Sequence, residues 1–307
     1  MSDADAATQD DYQKYLDPKV LARVSGLDIK ARLVVEGFIS GLHKSPFHGF
    51  SVEFAQHREY VPGDDIKHLD WKVFGKTDRF YIKEYEEETN LHGWILLDIS
   101  ESMDYASDGM SKFDYGATIA AALSFLMLQQ QDATGLVTFD DDIREFIKPS
   151  SQPSHLKLLT HHLAQVRPTG RSKIGTIFHD LAERVRRRGL IILISDLFVD
   201  PKELALGLRH FRHKRHEVIL FHVLDQAERT FPFMDLTLFK GMEHYPDVFA
   251  EPRGLRADYL AELDGFIRDV KRACRQHRID YVPMTTSDSL EVALSAYLAG
   301  RLAMRGK

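Results

Sequence analysis

Short apolar runs that break at an aspartate, interleaved with helical patterns, constrain this chain more than any other feature. Residues 94–97 form such a run before Asp98, and 135–139 form another before Asp140-Asp141-Asp142. Residues 190–194 lead into Ser195-Asp196, 218–223 into Leu224-Asp225, and 279–283 make a weaker fifth run. Helical patterns occupy 112–130, 154–166, 174–188, 201–213, 255–277 and 288–302, the last with Asp288 as N-cap and Glu291 three residues on. A strand without polar alternation is covered on both faces, so the pattern predicts a doubly wound, mostly parallel α/β domain over 91–303. Residues 143–147 follow the aspartate cluster closely and predict a hairpin with an edge strand.

Upstream the texture differs. Residues 18–42 carry helical spacing through Val20, Leu21, Val24, Leu27, Leu33, Val34, Phe38 and Leu42. In 49–86, Phe50, Val52 and Phe54 alternate with polar neighbours around a Val61-Pro62-Gly63-Asp64-Asp65 turn, as in a small β-rich unit. Together 18–90 read as an N-terminal helical and β-rich unit. No Gly/Ser/Pro-rich linker separates Tyr85 from Trp94, so this unit is expected to pack on the α/β domain. Residues 1–17 are acidic, poor in large apolar side chains and expected to be disordered.

Composition narrows the function. Lys and Arg total 40 against 46 Asp and Glu, a net charge of −6 that offers no basic surplus for nucleic-acid phosphates. The longest apolar stretch, 117–128, is interrupted by Thr118 and Ser124 and falls short of the ~20 residues of a membrane span. The acidic start is unlike a secretory signal, and the single cysteine, Cys274, excludes an internal disulfide or a Cys-based zinc site. A cytoplasmic protein without a membrane span is expected.

The chemistry is expected beyond the strand ends. Asp98-Ile99-Ser100-Glu101-Ser102 is a D-x-S-x-S arrangement. A carboxylate with hydroxyls two and four residues on can set three oxygens around one point. Oxygen-only donors with few carboxylates suit Mg²⁺ or Mn²⁺. The plainer alternative is a loop whose side chains only satisfy backbone amides. Gly170 to Thr176 is spaced like a P-loop but has Thr176 where the lysine belongs. A phosphoryl-accepting Asp98 would want a second aspartate where Ser100 stands. His210, His213 and His216 sit among Arg and Lys and read as a basic, solvated helix end. Cys274 reads as a small buried hydrophobe.

These motifs resemble the von Willebrand factor A fold and its metal-ion-dependent adhesion site. The stretch Arg58 to Trp71, with Pro62-Gly63-Asp64-Asp65 and Asp70-Trp71, then Asp98 to Met103 and Arg188 to Leu197, resembles the bacterial family called domain of unknown function 58 (DUF58). The resemblance implies that Ser100, Ser102 and Ser172 hold the ion directly, with Asp98 and Asp196 binding directly or through water. Thr176 is the second choice for the third hydroxyl. Leu197 stands where many adhesion sites have glycine, and Glu101 is expected to point to solvent. Neutral hydroxyls would leave the ion seeking an anionic sixth ligand, such as a partner's Asp or Glu. The family further implies a non-enzymatic adaptor for a MoxR-type AAA ATPase in complex assembly or maturation. Two other readings stand beside it: a metal-dependent hydrolase or phosphotransferase using Asp98 and Asp196, and a scaffold with a vestigial metal site that binds through 49–86.

Overall fold

The computed structural model describes residues 26–42, 57–59, 80–83 and 91–305. The expected tail, the Pro62–Asp65 turn and Asp70-Trp71 lie outside the described residues. The chain divides into two units, 1–44 with 91–307 and 45–90. In the smaller, β1 (His57–Glu59) pairs antiparallel with β2 (Tyr81–Lys83). Helix α1 (Leu27–Leu42) belongs to the larger unit, not with the β-rich residues as its position in the sequence suggests. The reason is burial: Ala31, Val34 and Val35 are fully enclosed in the core of the α/β unit.

The larger unit then runs β3 (His92–Asp98), α2 (Lys112–Gln129), β4 (Ala133–Phe139), β5 (Ile143–Ser150), α3 (His155–Gln165) and α4 (Ile174–Arg184). It continues β6 (Leu190–Ser195), α5 (Pro201–His213), β7 (Glu217–Leu224), α6 (Gln226–Thr230), β8 (Thr237–Phe239) and β9 (Val248–Ala250). It closes with α7 (Pro252–Gln276), β10 (Asp280–Thr285) and α8 (Glu291–Arg305). Six strands form one sheet in the order β10-β7-β6-β3-β4-β5, parallel except for β5, which returns antiparallel beside β4. This is the doubly wound, mostly parallel, von Willebrand factor A-like arrangement.

Each central strand feeds two cores. In β3, Ile95 and Leu97 enter the layer shared with α1, α2, α3 and α8, while Trp94 and Leu96 enter the layer shared with α4, α5 and α7. Both faces are therefore dry, and the strand shows no polar alternation. The edge strands differ. β5 is only partly buried, is bulged at two places and carries Pro149; β10 on the far edge carries Pro283.

Three local expectations need correction. Asp288 does not cap α8. Its carboxylate accepts from the Thr285 N–H at 2.7 Å, closing a turn after β10, and the helix starts at Glu291. His216 is not solvated; it is fully buried with its Nε2 3.2 Å from the Val185 carbonyl. The β8–β9 hairpin has no counterpart in the sequence reading, because its two three-residue strands are too short and too exposed to leave a periodic pattern. Cys274 is buried as expected, and burial pushes its thiol up to about 12. Among the described residues, no helix is long and apolar enough to cross a membrane.

Gly189, just before β6, lies against β3: a Cβ there would sit 2.1 Å from the His92 carbonyl oxygen. Gly189→Ala must push the two strands apart. A loss of about 2 kcal/mol or more is expected, on the scale of core overpacking, read as a lowered urea midpoint with unchanged slope.

Candidate metal centre

From β3 the chain moves to β4 on one side of the sheet, and from β6 to β7 on the other, so their carboxyl ends flank the switch point. Asp98 ends β3 and Asp196 follows β6, and both are buried. The register pairs Leu97 with Ile194, which sets Asp98 level with Ser195. The Ser195 hydroxyl donates to Asp98 Oδ2 at 2.6 Å and accepts from the Leu197 N–H at 2.8 Å.

After Asp98 the chain turns sharply. The Ser100 N–H donates to Asp98 Oδ1 at 2.9 Å, and Ser100 and Ser102 hydroxyls lie 3.2 Å apart at the start of a short 3-10 turn, Glu101–Asp104. The loop before α4 is tied to this turn by Thr169 N–H to the Ile99 carbonyl (2.8 Å) and Glu101 N–H to the Gly170 carbonyl (3.0 Å). Gly170 has φ +75°, and a Cβ would come 3.2 Å from Asp140 Oδ2, so glycine suits this crossing. The tie brings the Ser172 hydroxyl to 3.3 Å from Asp98 Oδ2. Asp98, Ser100, Ser102, Ser172 and Asp196 thus share one pocket of oxygens. The Thr176 side chain lies outside the described residues.

Four further residues complete the pocket, and none was expected from the sequence. Ser195 orients Asp98. Lys112, in the first turn of α2, is 2% exposed, and its Nζ donates to Asp196 Oδ2 and to Glu228 Oε1, each at 2.7 Å. Burial pulls this ammonium down, but Asp196 and Glu228 push it above its ordinary value. Asp196 is pushed up by burial, yet the Lys112 ammonium prevails and its carboxyl is lowered. Asp98 has no such cation. Burial, then the charge of Asp196, pushes it up to about 7. His222 is pulled down to about 4 by burial; its Nε2 lies 3.0 Å from the Asp196 carbonyl and its Nδ1 2.7 Å from the Tyr281 hydroxyl.

The fourth addition is Glu243, between β8 and β9 and 4% exposed. Its N–H donates to Glu101 Oε2 at 2.6 Å, its carbonyl accepts from Arg171 Nε at 2.6 Å, and its Oε2 lies 3.4 Å from the Ser172 amide nitrogen. Glu101 therefore turns away from the oxygen pocket, but to a backbone amide instead of to solvent. Glu243 and His244 take φ +54° and +68°, left-handed conformations that cost about 1–2 kcal/mol each outside glycine. Leu197 is also left-handed, at φ +57°, and its side chain is wholly buried in the core beneath the site. That burial explains how leucine is tolerated where glycine was expected.

The donor set fits a hard divalent cation. Lys112 pairs with Asp196 and Glu228, Asp98 and Glu243 have no ion pair with it, and the buried Glu243 Oε1 makes no hydrogen bond of full geometry. Among the described residues, no group of three or more His, Cys, Asp or Glu is arranged to hold a metal, so serine hydroxyls must supply most of any coordination.

A family model described as "Protein of unknown function DUF58" matches residues 56–264. An uncharacterized protein of Mycobacterium tuberculosis is 27% identical over 263 residues, covering 84% of this chain and 82% of that protein. A Mycobacterium bovis protein matches to the same extent. Among solved structures, an aerotolerance-related membrane protein from Bacteroides fragilis (13% identity, TM-score 0.49) covers 69% of this chain and 99% of its own. The conserved hypothetical protein BatB from Bacteroides thetaiotaomicron (16%, TM-score 0.46) gives the same coverage.

Removing the central cation should be costly. Lys112→Met leaves Asp196 buried without its cation and the partly buried Glu228 with only the Asp225 amide, and about 3–5 kcal/mol of stability should be lost in urea melts. The pH dependence has a definite sign. Asp98 titrates near 3.8 when unfolded and near 7 when folded, so its protonation favours the fold fully below 3.8. In EDTA, stability should fall as pH rises from about 4 to about 7; saturating Mg²⁺, or Asp98→Asn, should remove that slope.

Proposed function

The chain belongs to the DUF58 family, and from that premise we propose that it is a non-enzymatic, Mg²⁺-dependent protein-interaction module. One observation carries the reading. Three serine hydroxyls and two buried carboxylates meet at the switch point, and of the two carboxylates only Asp196 is paired with a cation of the chain. Ser100, Ser102 and Ser172 would hold the ion directly, with Asp98 and Asp196 binding directly or through water.

The chain's own groups prepare the pocket. Ser195 and the Ser100 amide fix both oxygens of Asp98, and Lys112 fixes Oδ2 of Asp196. Bound Mg²⁺ would supply positive charge that neutral hydroxyls leave poorly compensated, and a carboxylate from a binding partner is the natural complement. The family resemblance makes a MoxR-type AAA ATPase the candidate partner, with this chain as adaptor in complex assembly or maturation.

Capture of the MoxR-type ATPase tests this, using folded wild type and folded Asp98→Ala, each with Mg²⁺ or with EDTA. Only wild type with Mg²⁺ should capture it. Asp98→Ala removes repulsion with Asp196 but also the bonds from Ser195, Ser172 and the Ser100 amide, so Asp98→Asn, which keeps an acceptor for them, is run beside it. Equal capture in all four samples would reject the metal-bridged mechanism in favour of a scaffold.

A further inference from the structure

We infer that Glu243 is a ligand of this centre supplied by the chain itself, seated where an acidic partner residue would bind. The inference rests on the metal-dependent reading above and deepens it. The segment joining β8 to β9 forms a strap over the oxygen pocket, with Glu243 at its innermost point. Glu243 Oε1 is the decisive atom. It is buried and makes no hydrogen bond of full geometry; Oε2 lies 3.4 Å from the Ser172 nitrogen, and burial pushes the carboxyl up while the Ser102 and Ser100 hydroxyls and the Ser172 amide hold it down. A buried carboxylate oxygen without a donor is expensive unless something positive meets it.

The strap is anchored on both sides of the pocket. Glu101, between the two serines of the D-x-S-x-S turn, accepts the Glu243 N–H, and Arg171, beside Ser172, donates to the Glu243 carbonyl. The Arg171 guanidinium also lies 5.9 Å over the Tyr245 ring, and Tyr245 packs edge-on against Phe198, two residues past Asp196. All three loops that bring the expected metal ligands therefore hold the strap as well. Gly241 N–H to Asp247 Oδ1, at 2.9 Å, closes its base.

This arrangement changes what a partner must do. A hydroxyl-rich site with an open position would take an external carboxylate at once. With Glu243 in that position, the external carboxylate has to displace the strap. The site is thereby closed to weak acidic ligands and opened by a partner that also engages the surrounding surface. Metal and strap reinforce each other: the ion gives Glu243 Oε1 its missing partner, and Glu243 gives the ion its anionic ligand.

Mn²⁺ alone is the probe, with wild type, Glu243→Gln, Glu243→Asp and Asp98→Ala titrated by calorimetry and digested with trypsin, which can cut after Lys240 on the strap. Wild type should bind Mn²⁺, and Glu243→Gln should bind at least about tenfold more weakly, the scale that even outer-shell groups reach at metal sites. Glu243→Asp, charged but one methylene shorter, should fall between them. Mn²⁺ should slow cleavage after Lys240 in wild type and not in Glu243→Gln. At Mg²⁺ concentrations that saturate both, Glu243→Gln should capture the ATPase better than wild type. Equal Mn²⁺ affinity and equal protection in wild type and Glu243→Gln, with binding lost in Asp98→Ala, would overturn the role of Glu243 and leave the centre intact. Absence of Mn²⁺ binding by wild type would overturn the centre itself.

Discussion

The ammonium of Lys112, held 2.7 Å from both Asp196 and Glu228 and almost wholly excluded from water, is the contact around which the site is arranged. Lys112 is the first residue of a largely buried helix, and its neighbours Phe113 and Tyr115 are enclosed in the core. Its presence divides two aspartates that the topology places side by side. Asp196 receives an internal counter-ion and stays a strong carboxylate. Asp98 receives only hydroxyl and amide donors, so the unmet demand for positive charge is concentrated on one side chain.

The sequence disclosed the sheet because its strands are dry on both faces. Runs such as 94–97 and 190–194 lack alternation since neighbouring residues enter two different cores. Asp98, Ser100, Ser102 and Asp196 could be placed for a related reason, since each lies at or just past the end of an apolar run; Ser172, in the loop between α3 and α4, was placed by the family resemblance. Lys112 was not legible. One cation at the start of an apolar helix looks like an ordinary helix terminus, and only the fold reveals that it points at residues 84 and 116 positions away. Glu228 was hidden in the same way, since its sequence signature is that of a capping box with Asp225, which it also forms.

Glu243 was the least readable. It lies in a segment with two short exposed strands and no hydrophobic period, and the bond from its amide to the Glu101 carboxylate spans 142 positions. A single weak clue was present, an acidic residue between the serines of D-x-S-x-S. Glu101 was expected in water because a further carboxylate on the ion would alter its charge. The structure gives it other work, accepting from the amide that orients Glu243. Among the described residues, three of the seven left-handed non-glycine positions, Leu197, Glu243 and His244, border the pocket. The leucine is offset by core burial, and Glu243 is held by its neighbours on Glu101 and Arg171.

Both borders of the six-stranded sheet carry a proline, Pro149 in β5 and Pro283 in β10. A prolyl nitrogen has no hydrogen to donate, and the bulges of β5 break the even spacing that a docking strand would need. Another copy of this chain therefore finds no regular ladder to extend at either border. Self-association by strand addition, a standing hazard for a sheet whose strands are this apolar, is discouraged at the two places where it could begin.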